Sequence, residues 1–527
     1  MGNSLDSQQR QAIVVDEKSN LVVAGAGSGK TLTISGKVKY LVDRKGIEPN
    51  NILLISYTRK AADEMKERIV KKLNVDVQSL TFHALGVKII REVEKKPPII
   101  FDEFIDGNPF NKFFKEEIYK SREYVNKIIE FYGLYINVPK EVNEFETIGD
   151  YYEYCKSVDF TTLKGKMSKD TYVKNKVKEL REDKMTIQGE QVKSFEELMI
   201  ANFLYLNGIN YEYEKLYEYD TADQYHRQYK PDFYLTDYDI YLEHFGINKE
   251  GKAPWLNSIE EQRYLEGMIW KRRLHIEKGT KLIETYSYYN QKGILLKLKE
   301  ILVNEGVSLI PIDYYKVFSC LYNQKEDRYF KELIKLFKTF VKLFKSNGYK
   351  LEKFNQYKTN ALNNNNRILK QRTILFMDIA ERLFTYYENY LTSIKKIDFD
   401  DMINKSTEYV RAGKWMLNYK YQDISVSRYK LIKKIRDKVS AKVLCVGDDW
   451  QSIYRFAGSE INLFKEFDKF FGYYEMMKIE KTYRNSQELI NIAGNFIMNN
   501  SSQFTKDLKS DQHNPNPLKI YGYVNHQ

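Results

Sequence analysis

The stretch NLVVAGAGSGKT, residues 20–31, constrains the fold more than any other part of the chain. LVVA is a short apolar run of buried-strand type, GAGSG carries no bulky side chain, and TISGKVKYLV beyond it has helical spacing. A strand that turns through glycines into a helix leaves backbone N–H groups pointing into the turn, at the positive end of the helix dipole. Such a turn cradles phosphates. Ala24, Gly25, Ala26, Gly27, Ser28 and Gly29 form the loop. Lys30 is placed to neutralise the β- and γ-phosphates, and the Thr31 hydroxyl to ligate Mg²⁺. The fold class expected is α/β, with a parallel P-loop sheet. By itself the pocket suits a kinase, a transporter ATPase or a GTPase equally well.

At 527 residues the chain is too long for one ordinary domain. No run of about eighteen apolar residues occurs, so no membrane span is expected. Cys155, Cys320 and Cys445 are scattered without metal spacing, which points to a reducing, cytoplasmic compartment. The net charge of +12 favours an anionic partner, and nucleic acid is the usual one, although a solubility charge explains it as readily.

Six further segments narrow the choice: LDSQQRQAI (5–13), ILLISYTRKAADEMKERI (52–69), SLTFHALG (79–86), IDFDDMI (397–403), VLCVGDDWQSIYRFAGS (443–459) and IEKTYRNSQELINIAGNFI (479–497). With AGAGSGKT, and in this order, they resemble the UvrD/Rep-like superfamily 1 DNA helicases, and in particular helicase IV-like members. The resemblance implies ATP and Mg²⁺ as cofactors, single-stranded and duplex DNA as partners, and 3′-to-5′ unwinding coupled to ATP hydrolysis. It makes Gln9 the reader of adenine, Tyr483 a second face for adenine, and Arg484 a clamp on the γ-phosphate. Gln451 becomes a γ-phosphate sensor, so the catalytic set implied is Lys30, Thr31, Gln451 and Arg484. Thr58, Arg59, Phe82 and His83 are implied as DNA contacts. Tyr454 and Phe456 lie two apart, share a face in an extended segment and are able to stack on bases; alone they read as a packed aromatic pair.

Residues 96–394 interrupt these motifs. Within them, 192–217 reads as an amphipathic helix followed by a strand, and YKPDFYL (229–235) and IYLEHFG (240–246) read as two paired strands. Asp232 and Glu243, eleven apart, resemble the carboxylate pair of the PD-(D/E)xK nuclease fold, a candidate Mg²⁺ site that Glu197 would join. That pattern wants a lysine where Phe245 stands, with Lys271 the available substitute, so a structural module is favoured over a working nuclease. KELIKLFKTFVKLFK (331–345) sets Ile334, Phe337, Val341 and Phe344 against a stripe of Lys331, Lys335, Lys338, Lys342 and Lys345. The stripe reads first as a solvated face and second as a track for DNA phosphates.

The expected division is a first RecA-like domain from 1–95 and 395–475, a helical insertion from 96–185 and 325–394, a restriction-endonuclease-like module at 186–324, and the start of a second RecA-like domain at 476–527. Two gaps stand against the resemblance. In the family the tail QDIS (422–425) follows an apolar strand ending in Asp-Glu, whose carboxylates hold Mg²⁺ and activate the attacking water. Here NYKY precedes it. Past residue 497 no later motif follows, which leaves open a fragment, a split system completed by a partner protein supplying the rest of the second motor domain, or a decayed copy with impaired hydrolysis.

Overall fold

The computed structural model describes residues 5–56, 58–71, 73–136, 184–222, 227–291, 293–323, 328–415, 426–448, 450, 466–498 and 504–519. They form two compact units. One comprises residues 1–108, 339–350 and 387–527, the other residues 109–338 and 351–386.

The first unit is built on β1 (Ser19–Ala24), β2 (Leu53–Ser56), β3 (Gln78–Thr81), β8 (Val443–Gly447) and β9 (Glu475–Ile479). β1 lies between β8 and β9, parallel to both, with Val22 opposite Val446 on one side and Met477 on the other. β2 and β3 pair in parallel as a separate two-stranded sheet. Apolar residues on both faces are what a parallel sheet with helices on each side requires. On one face Leu21, Val23, Leu53, Ile55, Val443 and Cys445 pack with Phe82, Leu85 and Ile403. On the other Val22, Ala24, Ile52, Leu54, Leu444 and Val446 pack with Ala12, Ile34 and Val38. The two sheets thus share both cores, yet among the described residues no strand joins them. Residues 416–425, where the acidic strand is missing from the sequence, lie outside the described residues.

Helices follow the strands at capping residues. Asp6 opens α1 (Ser7–Val14) with a reciprocal cap to Gln9. α2 (Lys30–Asp43) starts at Gly29, the end of the glycine-rich loop. The hydroxyls of Thr58 and Thr81 accept from Ala61 N–H and Ala84 N–H, both at 3.2 Å, and open α3 (Arg59–Lys66) and α4 (Phe82–Glu94).

β9 lies in the same unit as the loop 24–31 and supplies the second partner of β1. One expectation changes here. Lys345 does not belong to the solvated stripe. Its side chain is 4% exposed, and its ammonium is bonded to Glu388 at 2.5 Å and to Asp398 and Asp401 at 2.8 Å each. Asp398 and Asp401 also cap the helix Phe399–Arg411 reciprocally, so IDFDDMI is the acidic half of a buried ion network.

The second unit holds a four-stranded sheet in the order β4-β5-β6-β7. The chain runs from the helix Phe195–Leu206 through β4 (Tyr211–Tyr213), β5 (Phe233–Leu235) and β6 (Ile240–Phe245), then the helix Ser258–Lys278, to β7 (Lys281–Tyr286). β4, β5 and β6 are antiparallel, and the helical crossover makes β7 parallel to β6. The two strands expected within 229–246 are present and pair with Phe233 opposite Leu242. No helix among the described residues is long and apolar enough to cross a membrane.

Removing one member of a buried ion network leaves the others uncompensated. Lys345→Met is expected to destabilise the fold by about 3 kcal/mol. A urea-unfolding midpoint unchanged from the parent would show that the three carboxylates do not depend on it.

Candidate nucleotide-binding site

Ligand sites in parallel α/β sheets form at the carboxyl ends of the strands. β1 runs there into the phosphate loop, β2 to Thr58 and Arg59, β3 to Phe82 and His83, and β8 to Asp448. In the loop Gly27 and Gly29 hold φ of 76° and 79°, which admit few residues other than glycine. Lys30 Nζ donates to the carbonyls of Ala24 at 3.3 Å and Gly25 at 3.0 Å and stands 3.6 Å from Asp448 Oδ2. The Ser28 hydroxyl is buried with no hydrogen-bond partner among the described residues, an orphan of the kind a phosphate oxygen would satisfy. Thr31, half-buried, is the second residue of α2. This donor set, a lysine, two hydroxyls and a backbone nest, fits a Mg²⁺-nucleotide.

The segment following β9 closes over the loop. Gly25 N–H donates to the Ile479 carbonyl at 3.3 Å, the Thr482 hydroxyl to the Ala26 carbonyl at 2.7 Å, and Tyr483 N–H to the Gly27 carbonyl at 3.1 Å. A Cβ on Gly27 would stand 2.4 Å from Arg484 Cβ. Gln9 is buried; its Nε2 donates to the Ser28 carbonyl at 2.9 Å and its Oε1 accepts from Asp6 N–H. The Tyr483 hydroxyl donates to Asp6 at 3.1 Å, while the residue stays 47% exposed, and Arg484 is exposed. The structure therefore gathers Gln9, residues 24–31, Tyr483 and Arg484 around one loop. Gln451, Tyr454 and Phe456 lie outside the described residues.

The expected DNA contacts divide. Thr58 and Arg59 are exposed at the start of α3, although the Thr58 hydroxyl already serves as a cap. His83 is half-buried with its ring edge on Phe399, centroids 5.0 Å apart. Burial, and then the nearby Arg428 charge, lower its pKa to about 4, so it is neutral near pH 7. Phe82 must be corrected. It is 1% exposed within the core, because it is the first residue of α4 and faces the sheet, and its ring is not available to a base. Sequence reasoning missed Thr482, Asp448 and Lys506. The first two stand inside recognised motifs, but only the fold shows what they touch.

In the second unit Asp232 lies immediately before β5 and Glu243 within the adjacent β6. Asp232 Oδ2 accepts His244 N–H at 2.8 Å, tying the start of β5 to β6. Glu243, 1% exposed, accepts from the Tyr229 hydroxyl and from Lys271 Nζ, each at 2.6 Å. Glu197 accepts from the Tyr213 hydroxyl at 2.6 Å. Burial first, and then the charge of Asp232, raise both glutamates, Glu243 to about 8. Lys271 thus meets Glu243 from the helix Ser258–Lys278. Among the described residues no three His, Cys, Asp or Glu side chains close on a metal-sized point. A cation there would have to displace Lys271 from Glu243.

A family model described as the UvrD/REP helicase N-terminal domain matches residues 5–231 and 272–472. Similar curated proteins include a probable DNA helicase II homolog of Mycoplasma pneumoniae, 38% identical over 141 residues, 26% of this chain and 19% of that protein. DNA helicase IV of Escherichia coli is 45% identical over 97 residues, 18% of this chain and 14% of the relative. The ATP-dependent DNA helicase PcrA of Staphylococcus aureus is 40% identical over 92 residues, 17% and 13%. The chain therefore spans less than a fifth of the length of each of these three relatives.

Gly27 is the tightest point of the loop. Gly27→Ala is expected to cost about 1–3 kcal/mol of local strain and to push Arg484 off the loop. The check is affinity for a fluorescent ATP analogue, expected to fall at least tenfold; parent-like affinity would mean that the close approach of Arg484 is not used.

Proposed function

Because the chain belongs to the UvrD/REP helicase N-terminal domain family, we propose that it binds ATP with Mg²⁺ and engages DNA as part of a 3′-to-5′ DNA helicase, with hydrolysis impaired in this copy. The observation that carries the reading is the convergence of Gln9, Tyr483 and Arg484 on the loop that carries Lys30 and Thr31. On nucleotide binding Lys30 leaves the carbonyls of Ala24 and Gly25 for the β- and γ-phosphates. The Ser28 hydroxyl gains an acceptor, Arg484 approaches the γ-phosphate, and Tyr483 and Gln9 flank the base. Thr31 would hold Mg²⁺, which when bound supplies charge neutralisation for the phosphates. Thr58, Arg59 and His83 meet the DNA strand, with His83 as a neutral hydrogen-bonding ring.

Hydrolysis requires a group that takes the proton of the attacking water as the bond from the γ-phosphorus to the bridging oxygen breaks. The family supplies it just before QDIS, and NYKY offers no carboxylate there. A partner protein completing the motor is the alternative route to turnover. The expected result is ATP-analogue binding lost in Lys30→Ala, with little ATP turnover whether or not single-stranded DNA is present. DNA-stimulated turnover that disappears in Lys30→Ala would overturn impairment and restore the complete motor.

A second reading, a Mg²⁺-dependent nuclease in the other unit, is favoured by the bond of Asp232 to the backbone of His244, which sets it beside Glu243; Lys271 would have to release Glu243 to the cation. Asp232 and Glu243 would hold the cation, which when bound supplies Lewis acidity. Lys271 would stabilise charge as water attacks phosphorus and the P–O bond of the backbone breaks. On this reading Mg²⁺-dependent nicking of plasmid DNA is expected to vanish in Asp232→Ala and to fall at least a hundredfold in Lys271→Met. Nicking that persists in Asp232→Ala belongs to another site or to a contaminant.

A further inference from the structure

Residues 504–512 lie along the end of β9 and bring one more lysine to the nucleotide pocket. Lys478 Nζ donates to the Thr505 carbonyl at 2.9 Å. Lys509 N–H donates to the Glu480 carbonyl, and Thr482 N–H to the Lys509 carbonyl, each at 2.9 Å. Ser510 N–H donates to the Gln487 side chain at 2.8 Å. Leu508 reaches the loop itself: a Cβ on Gly25 would stand 2.5 Å from its side chain. Between these ties Lys506 points inward. Its side chain is 1% exposed, its Nζ is 2.5 Å from Asp448 Oδ1, and it lies 4.9 Å from the ring of Trp450. The other Asp448 oxygen is the one 3.6 Å from Lys30.

Asp448, with a side chain 4% exposed, thus stands between the phosphate lysine and a second buried lysine. A buried carboxylate without countercharge is strongly unfavourable, so it holds whatever cation is near it. When Lys30 turns to the phosphates, Asp448 loses part of its compensation. Lys506 cannot follow, because the segment that carries it is tied to β9 on both sides.

We propose that Lys506 is a positioning residue of the nucleotide site, the standing counter-ion of Asp448 that lets Lys30 exchange Asp448 for phosphate. The proposal rests on the reading of Lys30 as the phosphate lysine. Without Lys506 the hold of Asp448 on Lys30 tightens, and nucleotide must compete against it. Neutralising Asp448 as well removes that hold, so the two substitutions offset each other in affinity.

The experiment measures binding of a fluorescent ATP analogue to the full chain, with Mg²⁺ and with chelator, and thermal melting without nucleotide. Lys506→Met is expected to weaken binding about tenfold, and Asp448→Asn combined with Lys506→Met to restore it to within about threefold of the parent. Lys506→Arg should keep parent affinity. Parent affinity in Lys506→Met, or weakening that Asp448→Asn does not restore, overturns the proposal. Should Lys506→Met fail to fold, Asp448→Asn alone decides: affinity equal to or tighter than the parent supports the proposal, and weaker affinity overturns it. If the parent chain and Lys30→Ala both fail to bind, the nucleotide reading falls and this proposal with it. Parent binding that is lost in Lys30→Ala but kept in Lys506→Met removes only the role of Lys506.

Discussion

The hydrogen-bond ladders on the two edges of β1 are the constraint on which the first unit depends. β1 is buried on both faces, so its backbone groups must be met by other strands. β8 and β9 meet them, and each then delivers a functional segment to the same end of the sheet. β8 leads into Asp448, and β9 continues into Thr482, Tyr483 and Arg484. The pocket is therefore less a loop with added side chains than the meeting point of three strand ends. The close approach at Gly27 and the bonds from Thr482 and Tyr483 follow from the register, not from any property of the loop alone.

What was legible in the sequence was what is local. The glycines of 25–29 announce their backbone conformation, TISGKVKYLV announces the helix after them, and YKPDFYL and IYLEHFG announce two strands by their apolar runs. The placement of Asp232 next to the strand of Glu243 was also readable, because a fixed spacing across a short hairpin sets it. Other features depended on distant partners. Lys345 repeats at helical spacing with four other lysines, and nothing in that pattern says that three carboxylates from 388–401 surround it. Phe82 sits beside His83 in one motif, but the first turn of α4 directs it into the core. β9 is placed by the ladder partner that β1 lacks, which no motif order states.

Both units carry a lysine pressed against a buried carboxylate: Lys30 near Asp448, and Lys271 against Glu243. The two arrangements differ in kind. Lys271 bonds directly to a glutamate whose pKa burial and Asp232 raise, and a tyrosine on the other oxygen completes the set, so the contact is closed on itself. Lys30 bonds to backbone carbonyls and stands farther from its aspartate, so less has to be undone when it moves.

The distance along the chain between the partners of β1 also has a consequence in time. Asn20 and Val443 touch across the ladder although 423 residues separate them. At ribosomal rates of roughly 5–20 residues per second, the phosphate strand waits on the order of 20 to 85 seconds before its partner β8 is made. Throughout that interval an apolar strand has two unsatisfied edges, the state in which strands pair with wrong neighbours. The second unit, complete in sequence by residue 386, is able to fold during the wait. The candidate nucleotide site is thus among the last parts of the molecule to form, and a nascent chain stalled before residue 443 carries the whole glycine-rich motif without the sheet that gives it shape.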